Sequence, residues 1–517
     1  MIKKVLVANR GEIAIRIFRT LREMGISSVA IYSDNDKDST FVQYADYSYP
    51  LEGDTAKETY MNIDKIIKIA VEAGVDAIHP GYGFLSENAS FVKAVEDSGI
   101  VFIGPSSEVV SSLGNKFKAR DIIKKLDIPL IPGTKKVIYT FEEAEQIAST
   151  VGYPVMIKPA AGGGGKGMNI ANDRSELESA FYKSQNLAES VFHDNSVCLE
   201  RYYADAHHVE VQILADTHGN VLHLGERECS IQRRFQKVVE ESPCLIISEH
   251  IRNKIFEYAV SIAKEVNYTG AGTIEFLYSN GEVFFLEMNT RIQVEHAVTE
   301  MVTDIDIVKM QVLIASGYEL PVKQEDIKIR GHAIECRIYS EDTSNNFMPS
   351  VGEITYCQLP HGLGVRVDSA IGHNYCVSHL FDPMLAKLIV RGNTREEAIC
   401  RMSRALDEFI IEGVKTNIDY LKAIMEDTQY INLKVNTNFL KDRHEELMNS
   451  AMKTKHIKNR FKQKIPVYRE SIQNYNEVGI SETPACEFEP ISVESNENSL
   501  QQLVDEISLP SLLSIDG

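Results

Sequence analysis

The sequence predicts a multidomain protein that mixes α/β with α+β architecture, and three observations carry that prediction. At 517 residues the chain is too long for one hydrophobic core, so three or four domains are expected. Residues 1–114 alternate short Val/Ile runs with helical periodicity, the rhythm of βαβ units and a largely parallel sheet. Residues 272–296, GTIEFLYSNGEVFFLEMNTRIQVEH, instead set Asn280-Gly281 between two β-rich runs, the signature of an antiparallel hairpin.

In the first region the strands are KVLVA, VAIYS, DAIHP and VFIGP, with helices over 13–24 and near 60–73. The junctions Asn9-Arg10-Gly11-Glu12 and His79-Pro80-Gly81-Tyr82-Gly83 fall at strand ends, where such sheets hold ligands. The second region, about 115–330, contains KPAAGGGGKGMNI at 158–170. So much bare backbone beside a lysine suits a phosphate. A Walker A loop would need Ser or Thr after Lys166, where Gly167 stands; a G-x-G-x-x-G turn (Gly162, Gly164, Gly167) would have to open a helix, which Met168-Asn169-Ile170 does not. The glycines therefore read as a flap joining two strands, and the helix beyond starts where Ser175 and Glu178 are spaced as a capping box. A third region begins near Arg330 with GHAIECRIYSED, adds the strands GVRVDS and KLIVRG and a helix over 394–409, and closes near 445.

Composition narrows the function. A net charge of −20 argues against nucleic acid or an anionic membrane as the main partner, so an anionic substrate needs local cationic clusters. No apolar run approaches the roughly 18 residues of a membrane span, and MIKKVLVANR enters a strand directly; a cytoplasmic protein is expected. Eight scattered cysteines without a C-x-x-C pair fit reduced thiols, and Cys229 reads as a buried structural thiol. Residues 451–469 carry seven Lys or Arg and no acid, whereas 481–517 carry eight acids and no base. This reads as a solvated helix and a disordered acidic tail, with a partner-docking segment as the alternative because Leu500, Leu503, Val504 and Ile507 have helical spacing. Ala451-Met452-Lys453 is like a biotin-attachment sequence, but no glycine lies between Gly413 and Gly479 to make the tight hairpin such a lysine needs.

The chemistry concentrates in the hairpin. Glu287, Asn289, Arg291, Gln293 and Glu295 alternate with apolar residues or Thr, so an extended run over 287–295 would put all five on one face. Glu275 supplies a second carboxylate on the first strand. A three-residue loop, Asn280-Gly281-Glu282, would place Glu287 opposite it, and that loop is the expectation. Two carboxylates and an amide oxygen suit Mg²⁺ or Mn²⁺ bridging nucleotide phosphates, with Lys116, Lys158 and the glycine flap as a cationic clamp for phosphoryl transfer. The segment 225–241, GERECSIQRRFQKVVEE, adds a local basic patch with Gln232, Arg233, Arg234 and Lys237.

Together VLVANRGEIAIR, HPGYGFLSEN, KPAAGGGGKGM, ERECSIQRRFQK, GTIEF, EMNTRIQVEH and RGHAIECRI resemble the biotin carboxylase subunit of biotin-dependent carboxylases, of the acetyl- or propionyl-CoA type, in the ATP-grasp superfamily. The resemblance covers about residues 1–445. It implies a Rossmann-like N-terminal domain (1–114), an ATP-grasp domain (115–330) with a mobile lid at about 131–203, a mixed α+β C-terminal domain (331–446), and a charged tail (447–517). The implied reaction uses ATP and two divalent ions, Mg²⁺ or Mn²⁺, to form carboxyphosphate from bicarbonate and to carboxylate biotin on a carrier protein. The nucleotide contacts implied are Lys116, Lys158, Gly164, Gly165, Glu200, Arg201, Tyr202, Tyr203, His208, Gln232 and Phe235, with Glu275, Glu287 and Asn289 on the metals. Lys237, Arg291, Gln293 and the Val294 backbone would hold bicarbonate, Glu295 would be the general base, and Arg337 with Tyr82 would bind biotin. A homodimer, a biotin carboxyl carrier protein and a carboxyltransferase subunit follow from the same resemblance; the biotin carboxylase component of a pyruvate carboxylase, or a non-catalytic nucleotide-binding protein, is the alternative. Three positions depart from the family pattern: Phe235 where His is frequent, Ala297 where Pro is usual, and SHLFDPM in place of a tyrosine-rich segment.

Overall fold

The computed structural model describes residues 2–160, 167–192, 194–372 and 375–462. The N-terminal strands β1 (Lys4–Val7), β2 (Ser27–Tyr32), β3 (Tyr47–Pro50), β4 (Ala77–His79) and β5 (Val101–Phe102) form one sheet in the order β3-β2-β1-β4-β5. Every neighbouring pair is parallel. The central β1 has helices to pack on both faces, which is why Val5, Leu6 and Val7 are all apolar and fully buried. At its end Asn9 Nδ2 donates to the carbonyls of Pro80 (2.8 Å) and Tyr82 (2.7 Å). Gly81 sits at φ +62°, and a Cβ there would lie 2.9 Å from that same Nδ2. Only glycine lets the turn close onto Asn9, and the closure sets the position of Tyr82.

A small antiparallel sheet follows, β7-β6-β8, built from β6 (Val155–Pro159), β7 (Asn169–Ala171) and β8 (Val197–Arg201). The glycine segment thus joins two adjacent antiparallel strands. The helix after β7, Arg174–Phe192, is not opened by a Ser175/Glu178 box. Asp173 Oδ1 accepts from the backbone N–H of Ser175 (2.8 Å) and Glu176 (3.2 Å), because a carboxylate at the helix N-terminus caps more strongly than a hydroxyl.

The largest sheet contains β9 (His207–Ala215), β10 (Val221–Arg233), β11 (Gln236–Ser242), β12 (Gly270–Ser279), β13 (Glu282–Asn289), β14 (His332–Tyr339), β15 (Val365–Ser369) and β16 (Met384–Gly392). Their order is β13-β12-β9-β10-β11-β14-β16-β15. Antiparallel pairing of Val239 with Cys336 carries this one sheet across the border expected at 330. The apolar cores on its faces include Val211, Ile274 and Phe276 at one end and Ile334, Leu388 and Leu421 at the other. The helix His444–Lys462 holds the first part of the basic stretch, while the acidic segment 481–517 lies outside the described residues.

Two expectations about the hairpin are corrected. Ser279 pairs with Glu282, so the turn has two residues, Asn280 and Gly281, both left-handed (φ 50° and 84°) as a type I′ turn requires. A bulge between Glu275 and Phe276 then absorbs Leu286, and Glu287 ends opposite Glu275 after all. The extended run also stops early. Glu87 takes the backbone N–H of Thr290 (3.0 Å) and the Arg291 guanidinium (2.8 Å), the chain leaves the ladder after Asn289, and Glu295 becomes the N-cap residue of the helix His296–Thr303. Ala297, in place of the usual proline, is fully buried in the first turn of that helix.

Candidate active site

The polar residues of 287–295 converge although they do not share a strand face. Asn289 and Gln293 donate through their amide nitrogens to Glu275 Oε1 at 2.9 and 3.2 Å. Arg291 spans them, with Nη2 3.1 Å from Asn289 Oδ1 and Nη1 2.8 Å from Gln293 Oε1. Folding the segment back at Thr290 shortens the distance between its ends, so a turn achieves what an extended ribbon could not: Glu275 meets residues 289 and 293 at once.

Lys237 is the centre. Its ammonium donates to Glu210 Oε2 (2.5 Å), Glu275 Oε1 (2.9 Å) and Glu295 Oε1 (2.7 Å). Burial works against the charge, but the three carboxylates hold its pKa well above the ordinary lysine value. Arg337 completes the grip on Glu295 with Nη2 at 2.9 Å from Oε2, while its Nε lies 2.6 Å from Glu240. Burial opposes ionisation of Glu295, yet Lys237, Arg337 and Arg227 hold its carboxyl well below the usual range, so it is an anion. Behind this row the fully buried Arg227 pairs with Glu210 and donates to Gln212 (2.7 Å), Thr299 (3.0 Å) and Thr273 (3.1 Å), which fixes Glu210 in place.

On the other side of Glu275, His208 Nε2 lies 3.0 Å from Oε2 and its Nδ1 is 3.0 Å from Gln232 Nε2. Glu287 is open to solvent yet surrounded by protein, and burial followed by the like charges of Glu275 and Glu87 raises its pKa. Two opposed carboxylates at odds with each other, one with an open approach, have the oxygen chemistry of a hard divalent cation, and Asn289 lies beside both. The expected metal set therefore fits Mg²⁺ or Mn²⁺.

The other expected residues are distributed around this centre. Lys158 Nζ pairs with Glu200 Oε2 at 2.5 Å on the small sheet, and Arg120 reaches the same carboxylate at 3.3 Å. Tyr202 donates to Asn438 (2.9 Å), and Tyr203 stacks on Phe284 with centroids 5.1 Å apart. Arg201 donates to the Val151 carbonyl (2.8 Å). Phe235 is 43 % exposed at the tip of the β10–β11 hairpin, where it and Arg234 both adopt positive φ. In the SHLFDPM segment, the Phe381 ring lies 4.2 Å from the Arg10 guanidinium, which is itself paired with Asp36. Tyr82 hydrogen-bonds Glu12. Gly164, Gly165 and the Lys116 side chain lie outside the described residues.

Five residues that sequence patterns did not single out complete the cluster: Glu210, Arg227, Glu240, Glu87 and Lys387. A signal existed for Glu210: in HHVEVQILA, His208, Glu210 and Gln212 alternate with Val209, Val211 and Ile213, a polar face on a strand buried on both sides. Glu87 lies within the motif HPGYGFLSEN, but nothing local indicates that it reaches Arg291 from 204 residues away.

Known proteins resemble this chain over most of its length. Family models match at residues 1–110 (biotin carboxylase, N-terminal domain), 115–323 (carbamoyl-phosphate synthase L chain, ATP binding domain) and 335–442 (biotin carboxylase C-terminal domain). Biotin carboxylase 1 of Bacillus subtilis (strain 168) is 50% identical over 442 residues, 85% of this chain and 98% of its own length. A pyruvate carboxylase subunit of Methanothermobacter thermautotrophicus is 49% identical over 85% of this chain and 90% of its own. A biotin carboxylase–βγ-ATP complex from Campylobacter jejuni superposes with a TM-score of 0.83 at 44% identity, covering 86% of this chain and 99% of that one. The biotin carboxylase domain dimer of Hydrogenobacter thermophilus 2-oxoglutarate carboxylase, solved with MgADP, ADP and bicarbonate, gives 0.83 at 43% identity over the same shares. The carboxylate and cation cluster, the sheet that builds it and these likenesses lead to one family: this chain belongs to the biotin carboxylases, ATP-dependent ligases with an ATP-grasp core.

Proposed function

We propose that the chain carboxylates biotin on a carrier protein, consuming ATP and bicarbonate by way of carboxyphosphate. The observation that carries this reading is the junction of Lys237, Glu295 and Arg337: a base held between two cations, beside an arginine and two metal-type carboxylates. Lys237, Arg291, Gln293 and the Val294 N–H would hold bicarbonate. As the anion draws on the charge of Lys237, Glu295 regains basicity and accepts the bicarbonate proton at a carboxylate oxygen. The freed oxygen then attacks the γ-phosphorus, whose bond to the β–γ bridging oxygen breaks as ADP leaves, giving carboxyphosphate. Lys158, with Lys116 and the glycine flap, would neutralise charge developing on the phosphoryl oxygens. Glu275, Glu287 and Asn289 would hold Mg²⁺ or Mn²⁺, which when bound offsets phosphate charge. Carboxyphosphate would break into CO₂ and phosphate, the phosphate would take the ureido N–H proton of biotin, and Arg337, beside Tyr82, would stabilise the resulting enolate as its nitrogen bonds to CO₂. Residues about 131–203, whose strands β6–β8 carry the flap, would act as the lid over ATP.

The proposed partners follow from the proposed reaction, which needs a biotin-bearing substrate and a final acceptor for the carboxyl group. They are a biotin carboxyl carrier protein and a carboxyltransferase subunit, with the enzyme itself a cytoplasmic homodimer. No helix among the described residues is long and apolar enough to cross a membrane. Acetyl- or propionyl-CoA is the proposed acceptor. Pyruvate is the second reading, favoured by the 49% identity to a pyruvate carboxylase component. ATP hydrolysis measured with and without bicarbonate and free biotin tests the reaction: stimulation by both is expected, and a folded enzyme indifferent to biotin would overturn it. Co-purified carboxyltransferase subunits would separate the acceptors.

A further inference from the structure

Lys387 lies in the apolar strand β16 between the fully buried Ala386 and Leu388, and it is itself fully buried. It is the register partner of Arg337 on β14 and of Asp368 on β15, so the three side chains share one sheet face. Its ammonium donates to the Val294 carbonyl at 2.8 Å and lies 3.5 Å from Glu12 Oε1 and 3.8 Å from Asp368 Oδ2. The Tyr82 ring centroid is 5.8 Å away, and Glu12 accepts the Tyr82 hydroxyl hydrogen bond. An ammonium in such a place is expensive to bury, whereas an apolar side chain would serve the strand as well. The contacts it makes supply a reason for it. The Val294 carbonyl belongs to the peptide that joins Val294 to Glu295, so the lysine fixes the plane from which the Glu295 side chain departs. Glu12 extends the same hold to Tyr82 and the wall of backbone around it, in the stretch matched by the N-terminal family model.

We propose that Lys387 is a positioning residue for carboxylation, clamping the Val294–Glu295 peptide and, through Glu12, the Tyr82 wall in a single geometry. The proposal rests on the roles given above to Glu295 and Tyr82. Displacing reacting groups by a fraction of their contact distance costs turnover, not nucleotide affinity.

The test compares kcat and the KM values for ATP and free biotin in wild type, Lys387→Met, Glu12→Gln, Tyr82→Phe and the Glu12→Gln/Tyr82→Phe double variant, with thermal midpoints for each. Lys387→Met is expected to lower kcat about tenfold or more with KM for ATP within about twofold. Glu12→Gln and Tyr82→Phe are each expected to raise the KM for biotin, and the double variant to do no worse than the stronger single one, because both cut the same link. A folded Lys387→Met enzyme with wild-type kcat, or single effects that multiply in the double variant, overturns the proposal. If Lys387→Met does not fold, the Glu12/Tyr82 cycle decides alone. Wild type without biotin-stimulated hydrolysis would sink the functional reading itself, whereas an active wild type with multiplying single effects sinks only the role of Lys387.

Discussion

Glu240 and Glu241 are neighbours on β11, both are buried, and both face arginines, yet they titrate in opposite directions. Alternation along the strand points them to opposite sides of the sheet. Glu241 meets Arg395 through two hydrogen bonds (2.7 and 3.0 Å) and His332 Nε2 at 2.7 Å; burial is outweighed, and its pKa falls to about 2. Glu240 has only Arg337 Nε, which belongs to a guanidinium shared with Glu295, and its second oxygen has no hydrogen-bond partner. Burial dominates there, the charge of Glu295 adds to it, and the pKa rises to about 7. One face of the strand is satisfied and the other is left short of positive charge. That difference separates a structural network from the proposed working site: the proposed catalytic face keeps carboxylates in excess of its cations, ready for a metal ion or a bound reactant to change the balance.

Breaking the satisfied side is expected to have the largest effect. Glu241→Gln strands Arg395 in a buried place and should cost about 3–5 kcal/mol of stability, read by chemical denaturation, with kcat changed little. A comparable loss of turnover with intact stability would erase the distinction between the two faces. On the catalytic side the pattern should invert. Glu295→Gln should lower kcat by about 10² or more while ATP binding, measured by calorimetry, survives. The fold tolerates it because Lys237 keeps Glu210 and Glu275, and Arg337 keeps Glu240. Near-normal turnover would remove Glu295 from the base role. Lys237→Ala should raise the KM for bicarbonate about tenfold, more than that for ATP. The reverse ranking would reassign Lys237 to phosphate binding.

These contrasts also explain what was legible from the sequence. Glu275, Glu287 and Glu295 stood out because period-two alternation gathered metal-type carboxylates in one hairpin, and Lys237 because it lies in a local basic patch of an acidic chain. Their neighbourhood was readable; their geometry was not. The expected three-residue loop and the actual two-residue turn with a bulge give the same Glu275–Glu287 pairing, and nothing local decides between them. The break at Thr290 depends on Glu87, which is distant in sequence and contributed by the N-terminal domain. The capping of Arg174–Phe192 was a matter of one carboxylate competing with one hydroxyl two positions away. The parallel sheet, by contrast, was plain in four of its five strands from their apolar runs; the fifth, β3, is a mostly exposed edge strand, YSYP, with no such run to announce it.

The smallest effect is the sharpest test of the comparison, because the two neighbours should bend the pH dependence of stability in opposite senses. Glu241 is depressed from 4.5 to about 2, so between those values the unfolded chain binds the proton and the folded chain does not. Its contribution is present above pH 4.5 and is lost as pH falls toward 2. Glu240 is raised from 4.5 to about 7, so between those values the folded chain holds the extra proton, and stability falls as pH rises through that window. Glu240→Gln keeps an acceptor for Arg337 but removes the charge, and it should stabilise the protein at about pH 8 by on the order of 1 kcal/mol while flattening the decline between pH 4.5 and 7. Thermal midpoints across that range read the slope directly. If Glu240→Gln instead lowered the midpoint above the window and left the slope unchanged, Glu240 would be a satisfied anion like its neighbour, and the charge-deficient character assigned to the catalytic face would be wrong.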